Sequence, residues 1–153
     1  MHPLELKIPP LGLVGLIAVL MWGLAWLFSP VYLPAGFRTL AILLCALAGL
    51  GFALGGVLAF RRAGTTVDPM SPGKSSALVT DGVYRVSRNP MYVGFVFALI
   101  AWGLVLSAPW AMVGPVLFVL YMNRYQILPE ERILLKRFGA DYAEYKGRVR
   151  RWL

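Results

Sequence analysis

The sequence predicts an all-α, polytopic membrane protein with four transmembrane helices and a C-terminal amphipathic helix lying at the interface. Three observations carry this. Of 153 residues, 59% are hydrophobic and only 14% charged, against about 45–50% and 25% in soluble domains. The apolar residues gather into runs close to the roughly 20 residues a spanning helix needs. The basic residues fall between and after those runs. At this length the chain reads as one domain over residues 1–153.

The first span runs from Leu11 to Phe28. Pro9 and Pro10 precede it, and Ser29-Pro30 with Pro34 ends it. The second occupies residues 39–60, uncharged throughout, with Gly49, Gly51, Gly55 and Gly56 near four-residue spacing. Small residues let helices approach closely in lipid, so this face serves helix packing, and it also permits a homodimer. Residues 91–106 form a third span and 110–128 a fourth, joined by a turn at Ser107-Ala108-Pro109. Trp22, Trp26, Trp102 and Trp110 lie toward span ends, where indole rings anchor helices at the interface.

After Pro129, which is expected to break or restart the helix, Leu134, Phe138, Tyr142, Tyr145, Val149 and Trp152 recur at three- and four-residue steps with basic residues between them. That pattern predicts an interfacial helix on the inner leaflet, bent at Gly139 or Gly147. It either folds over the loop between spans two and three or serves only as a basic anchor.

The net charge is +8, and fourteen of the fifteen basic residues fall on one side of a four-span topology, Arg38 being the exception. By the positive-inside rule that side is cytoplasmic, with both termini. The charge therefore points to anionic lipid, with no nucleic acid as partner. The first run lacks a small-residue cleavage site and reads as a retained span, which places the protein in a membrane, the bacterial inner membrane being the natural one. Cys45 is the single cysteine and reads as a small buried apolar side chain. His2 is the single histidine and has no role. No Cys/His group has metal-ligand spacing, so no metal is expected.

Two polar clusters interrupt this apolar chain. The first, Leu78 to Gly94, is basic and turn-rich. Asp81-Gly82 signals a turn. Asn89 is a favoured N-cap and Pro90 a favoured first helical residue, so the third helix should start there. Its free N–H groups, with Arg85 and Arg88, would make a small anion site; capping plus inside-positive charge explains the same residues. In the second cluster, Glu130 and Glu131 follow Pro129 in the first turn of the tail helix, where the dipole stabilises carboxylates. They could instead hold a cationic group. An anion site beside a cation site would receive a zwitterion, as an amino-acid-bearing cofactor requires.

Gly82-Val-Tyr84-Arg-Val-Ser-Arg88-Asn-Pro90-Met-Tyr92-Val-Gly94, together with Glu130-Glu131, Phe138-Gly139, Tyr142, Tyr145, Arg148-Val149 and Arg151, resembles the isoprenylcysteine carboxyl methyltransferase and phospholipid N-methyltransferase family over residues 61–153. The resemblance implies an integral membrane enzyme using S-adenosylmethionine, its cofactor site on the cytoplasmic side and a lipophilic or membrane-associated acceptor (carboxylate, thiol or lipid amine). It implies that Tyr84, Arg88, Asn89, Pro90, Tyr92, Gly94 and Glu131 line the cofactor site. Glu130 or Glu131 would face the cofactor's ammonium or the reacting centre, and Arg148 and Arg151 would help bind substrate. Asn89 stands where the family commonly has His, so a proton-transfer role there is lost while hydrogen bonding is kept. Glu130, Glu131 and the tyrosines remain as candidate bases. A non-catalytic membrane scaffold or lipid-binding protein is the alternative reading. A transporter is disfavoured, because no span carries a mid-membrane charge. On this view, replacing Glu131 or Arg88 by Ala should abolish cofactor binding more than folding.

Overall fold

The structure, a computed structural model, describes residues 3–65 and 77–153. The expected contribution of Lys74 to the basic loop, and His2, lie outside these residues. Among the described residues the chain is helical, with no strand: α1 (Pro10–Leu27), α2 (Ala35–Arg62), a short 3-10 turn (Gly82–Arg85), α3 (Pro90–Leu106), a second such turn (Pro109–Met112), α4 (Val113–Tyr121), a π-helical turn (Met122–Ile127) and α5 (Leu128–Arg148).

Each start and stop has a local cause. Pro10 and Pro90 stand in the first helical turn, where a missing N–H costs nothing. Pro34 precedes α2. The α3–α4 connection reverses at Ser107, whose φ of 52° is left-handed. Its hydroxyl accepts Arg38 Nη1 at 2.6 Å and its carbonyl accepts the Val31 N–H at 2.9 Å. The α1–α2 and α3–α4 connections are thereby tied to each other at one end of the bundle.

α1 and α2 are long and apolar enough to cross a membrane, and α3 is a shorter apolar helix. At about 1.5 Å per residue, the 28 residues of α2 exceed the length of a bilayer core. Leu40, Leu43, Leu47, Leu50 and Leu54 on α2 are each more than half exposed. A soluble protein rarely leaves so large a contiguous apolar patch to water, so the solvent on that flank is lipid. The opposite flank packs on α3, and the small residues permit it. A Cβ on Gly94 would lie 2.7 Å from the Gly49 carbonyl oxygen and 3.0 Å from Ala53. Gly49, Gly55 and Gly56 of α2 thus pack within the chain, whereas Gly51 faces open space. The central core joins Leu13, Ile17 and Met21 of α1 to Leu99 of α3 and Phe118 of α4.

Three local expectations are corrected. Cys45 is partly buried, short of the full burial expected. Trp102 turns inward and donates its indole N–H to the Ala18 carbonyl at 3.0 Å, so it ties α3 to α1 and does not anchor a span end. Pro129 neither breaks nor restarts the helix, since the chain stays helical from Val113 to Phe138 through the π turn. The wider π turn relieves the clash between a proline ring and the carbonyl four residues back. That carbonyl, of Tyr125, accepts the Leu6 N–H at 3.0 Å.

The bend in α5 falls at Gly139, with φ 53° and ψ −121°, values open to glycine. Beyond it the apolar face of α5 packs on the chain itself. Tyr142 and Tyr145 are buried with Val79 and Tyr84, and Leu134, Phe138 and Val149 pack around them. The tail therefore folds over the segment before α3.

Candidate active site

The 3-10 turn and the start of α3 meet the start of α5 and the chain's last residues. Tyr84 is buried, edge-on to Phe60 with centroids 5.5 Å apart, and its carbonyl accepts the Tyr145 hydroxyl at 2.7 Å. The Arg88 N–H donates to the Arg150 carbonyl at 2.9 Å. Arg88 Nη1 donates to the carbonyls of Val149 at 2.6 Å and Lys146 at 3.1 Å. Asn89 takes the N-cap position of α3 but makes no side-chain cap bond: its Nδ2 donates to the Arg151 carbonyl at 2.9 Å, while Ser87 Oγ, itself buried, accepts the Asn89 N–H at 3.1 Å. Asn89 is thus a donor that stitches two segments together.

Glu131 is the electrostatic hub. Its Oε1 accepts Arg88 Nη2 at 2.6 Å and Arg151 Nε at 2.9 Å, and its Oε2 accepts Arg151 Nη2 at 2.8 Å with Lys146 Nζ at 3.6 Å. Burial pushes this carboxyl up, but the Arg151 and Arg88 hydrogen bonds and charges outweigh it and hold it below the usual range. The same bonds raise Arg151. The expected anion site built from Arg85 and Arg88 is corrected. Arg88 faces Glu131, and Arg85, largely exposed, pairs with Asp81 at 2.7 Å. The dipole account of Glu130 and Glu131 also fails in its simple form, because the helix continues upstream of α5 and offers no free N-terminus.

Glu130 sits apart from this hub. Its Oε1 accepts the Tyr92 hydroxyl at 2.7 Å and Gln126 Nε2 at 2.5 Å. Desolvation raises the carboxyl to about 7; the Gln126 and Tyr92 hydrogen bonds oppose the rise, and the Glu131 charge adds to it. Tyr142, lower on α5, is pushed up to about 12, first by burial. A carboxyl that titrates near neutrality in a polar recess can exchange a proton under working conditions.

Of the residues singled out above, Tyr84, Arg88, Asn89, Tyr92, Glu130, Glu131 and Arg151 converge. Pro90 is buried and sets the start of α3. Gly94 faces α2, where its role is close packing. Arg148 stands outside the cluster, exposed and paired with Glu144 at 3.6 Å. Gln126 escaped notice; its only signal is the i, i+4 spacing to Glu130. Lys146 and the carbonyls of residues 146–151 carry no signal, since every residue has a carbonyl.

A bundle of apolar helices joined to a polar cluster of this composition is the architecture expected of a membrane methyltransferase, and comparison with known proteins agrees. The chain belongs to the phospholipid methyltransferase family, which it matches over residues 37–141. An uncharacterized protein of Haemophilus influenzae is 43% identical over 63 residues, 41% of this chain and the whole of that protein. The protein-S-isoprenylcysteine O-methyltransferase of Saccharomyces cerevisiae is 37% identical over 75 residues, 47% of this chain and 30% of the yeast enzyme. The human enzyme of the same name is 40% identical over 72 residues, 47% of this chain and 25% of that protein. The chain thus spans a minor part of the length of these enzymes. No solved structure matches it.

Proposed function

We propose that this protein is an integral membrane methyltransferase that moves a methyl group from S-adenosylmethionine to a lipophilic or membrane-associated acceptor. The observation that carries this reading is the direct meeting of two motif segments separated in sequence, Arg88 with Glu131 at 2.6 Å and Tyr92 with Glu130 at 2.7 Å. The family and the isoprenylcysteine methyltransferase relatives supply the chemistry.

The residues present fit such a cofactor. One carboxylate, Glu131, faces three cations, Arg88, Arg151 and Lys146. The surplus positive charge suits the cofactor's carboxylate. Arg88 Nε is buried with no partner, a donor left over in a side chain only 8% exposed. Glu130, held by two uncharged donors, suits the ammonium or a proton on the acceptor. When bound, the cofactor supplies an electrophilic methyl group. Tyr92 and Gln126 orient Glu130, while Tyr84 and Asn89 hold the loop against the tail. Methyl transfer to an already ionised carboxylate needs no base, whereas a thiol or ammonium must first lose its proton; Glu130 is the group placed to take it.

The topology that accompanies this reading has four crossings, α1, α2, α3 and α4 with the π turn that follows it, with both termini and the cluster cytoplasmic. Calorimetry with S-adenosylhomocysteine tests the function. Saturable binding that is lost in Glu130→Ala is the expected result, and a folded parent protein that binds none would favour a non-catalytic scaffold. Mass spectrometry of lipids and small thiols after incubation with labelled cofactor would name the acceptor.

A further inference from the structure

We propose that the segment before α1 is a clamp that positions Glu130, with Glu5 and Leu6 acting as positioning residues through the π turn. The inference rests on reading Glu130 as part of the cofactor site.

Four observations converge. The Leu6 N–H donates to the Tyr125 carbonyl at 3.0 Å, and Pro129, four residues beyond Tyr125, has no N–H to offer there. The Glu5 side chain is only 6% exposed and pairs with Arg132 at 2.6 Å, two residues past Glu130, while Arg132 itself is 56% exposed. A buried carboxylate must find such a partner. Leu6 adopts φ 55°, a left-handed conformation that a leucine keeps only where its surroundings hold it. Finally, Ile8 packs against the central core, so the segment is seated along its length. The tail adds a bond from the other side, the Trp152 indole donating to Asn123 Oδ1 at 3.0 Å. The π turn is thus gripped by segments from both sides of the fold.

Its importance lies in register. A π turn carries one residue more than an α turn, and each residue rotates a helix by about 100°. If Met122–Ile127 relaxed to α geometry, α5 would rotate against α4, and Glu130 would swing away from Tyr92. The clamp holds the wider turn and, through it, the Tyr92–Glu130–Gln126 contact. The groups bearing on Glu130 are Tyr92 of α3, Tyr84 of the 3-10 turn, Glu131 and Tyr142 of α5, and Gln126 of the π turn.

Two variants of one residue test this in the full chain. Leu6→Pro removes the N–H and forbids positive φ, whereas Leu6→Gly keeps the donor and accepts the φ. Neither changes a charge, so any effect on Glu130 is geometric. The Glu130 carboxyl is titrated by 13C NMR or infrared difference spectroscopy without cofactor, and release of the clamp is checked by hydrogen exchange over residues 3–9. The expected result is a Glu130 midpoint that is unchanged in Leu6→Gly and falls toward the ordinary carboxyl range in Leu6→Pro. S-adenosylhomocysteine affinity should fall in the proline variant and stay at the parent value in Leu6→Gly. An unchanged midpoint in Leu6→Pro with its clamp shown to be released overturns the proposal. Should Leu6→Pro not fold, Glu5→Ala decides by the same titration. Failure of the parent protein to bind S-adenosylhomocysteine would overturn the methyltransferase reading, while the Glu130 titration still decides the clamp.

Discussion

At the scale of single residues, two adjacent carboxylates do opposite things. Glu131, gripped by Arg88, Arg151 and Lys146, is a structural hub, so the expectation that its loss harms binding more than folding is revised. Glu131→Ala leaves the buried Arg88 without its charge partner and should cost about 3–5 kcal/mol, read as a lower thermal midpoint in detergent. Because its pKa is depressed, the stability it confers is present above its unfolded value and lost as pH falls through the folded one. Glu130 has the other sign. Its folded pKa, about 7, lies above the ordinary carboxyl value of 4.5, so the native state binds the extra proton and stability declines as pH rises from about 4.5 to about 7. Glu130→Gln should flatten that decline, which is worth on the order of 3 kcal/mol, when unfolding midpoints are compared across the window. A decline of equal size in the variant would show that Glu130 does not titrate there.

At the scale of elements, the α2–α3 pair depends on small residues. Gly94→Ala drives a methyl group to 2.7 Å from the Gly49 backbone oxygen. Backbone cannot step aside as a side chain can, so the helices must separate, at a cost of about 1–3 kcal/mol. Gly51 offers the control. Nothing lies within 4 Å of a Cβ there, and alanine in mid-helix should gain about 0.5–1 kcal/mol relative to glycine. Thermal denaturation of the two variants should move in opposite directions. The glycine spacing announced a packing face in the sequence. It did not announce which neighbour would use it, since α3 and a second copy would satisfy the same spacing. The helix boundaries were legible from proline, glycine and length, while the π turn was not. Pro129 was visible, but its effect depended on a partner for the Tyr125 carbonyl that lies 119 residues earlier in the chain, at Leu6.

At the scale of the whole molecule, the proposed topology, four crossings with the positive charge on one side, can be tested directly. Single cysteines placed at Lys7 and Arg150, in a Cys45→Ala background, should react with an impermeant thiol reagent only from the cytoplasmic side, and one at Tyr32 only from the opposite side. Labelling of the two ends from different sides would remove the four-crossing arrangement. The sequence by itself determined the helical class, the polar clusters and the family, because apolar run length, turn chemistry and motif order are local properties written in residue type. Only the tertiary structure decided that Glu131 meets charged partners while Glu130 meets uncharged ones, that Gly94 packs and Arg148 stands aside, and that a segment near the N-terminus bonds to the π turn. Those outcomes hang on backbone carbonyls and on the rotation of one helix against another, and neither is encoded in the identity of any single residue.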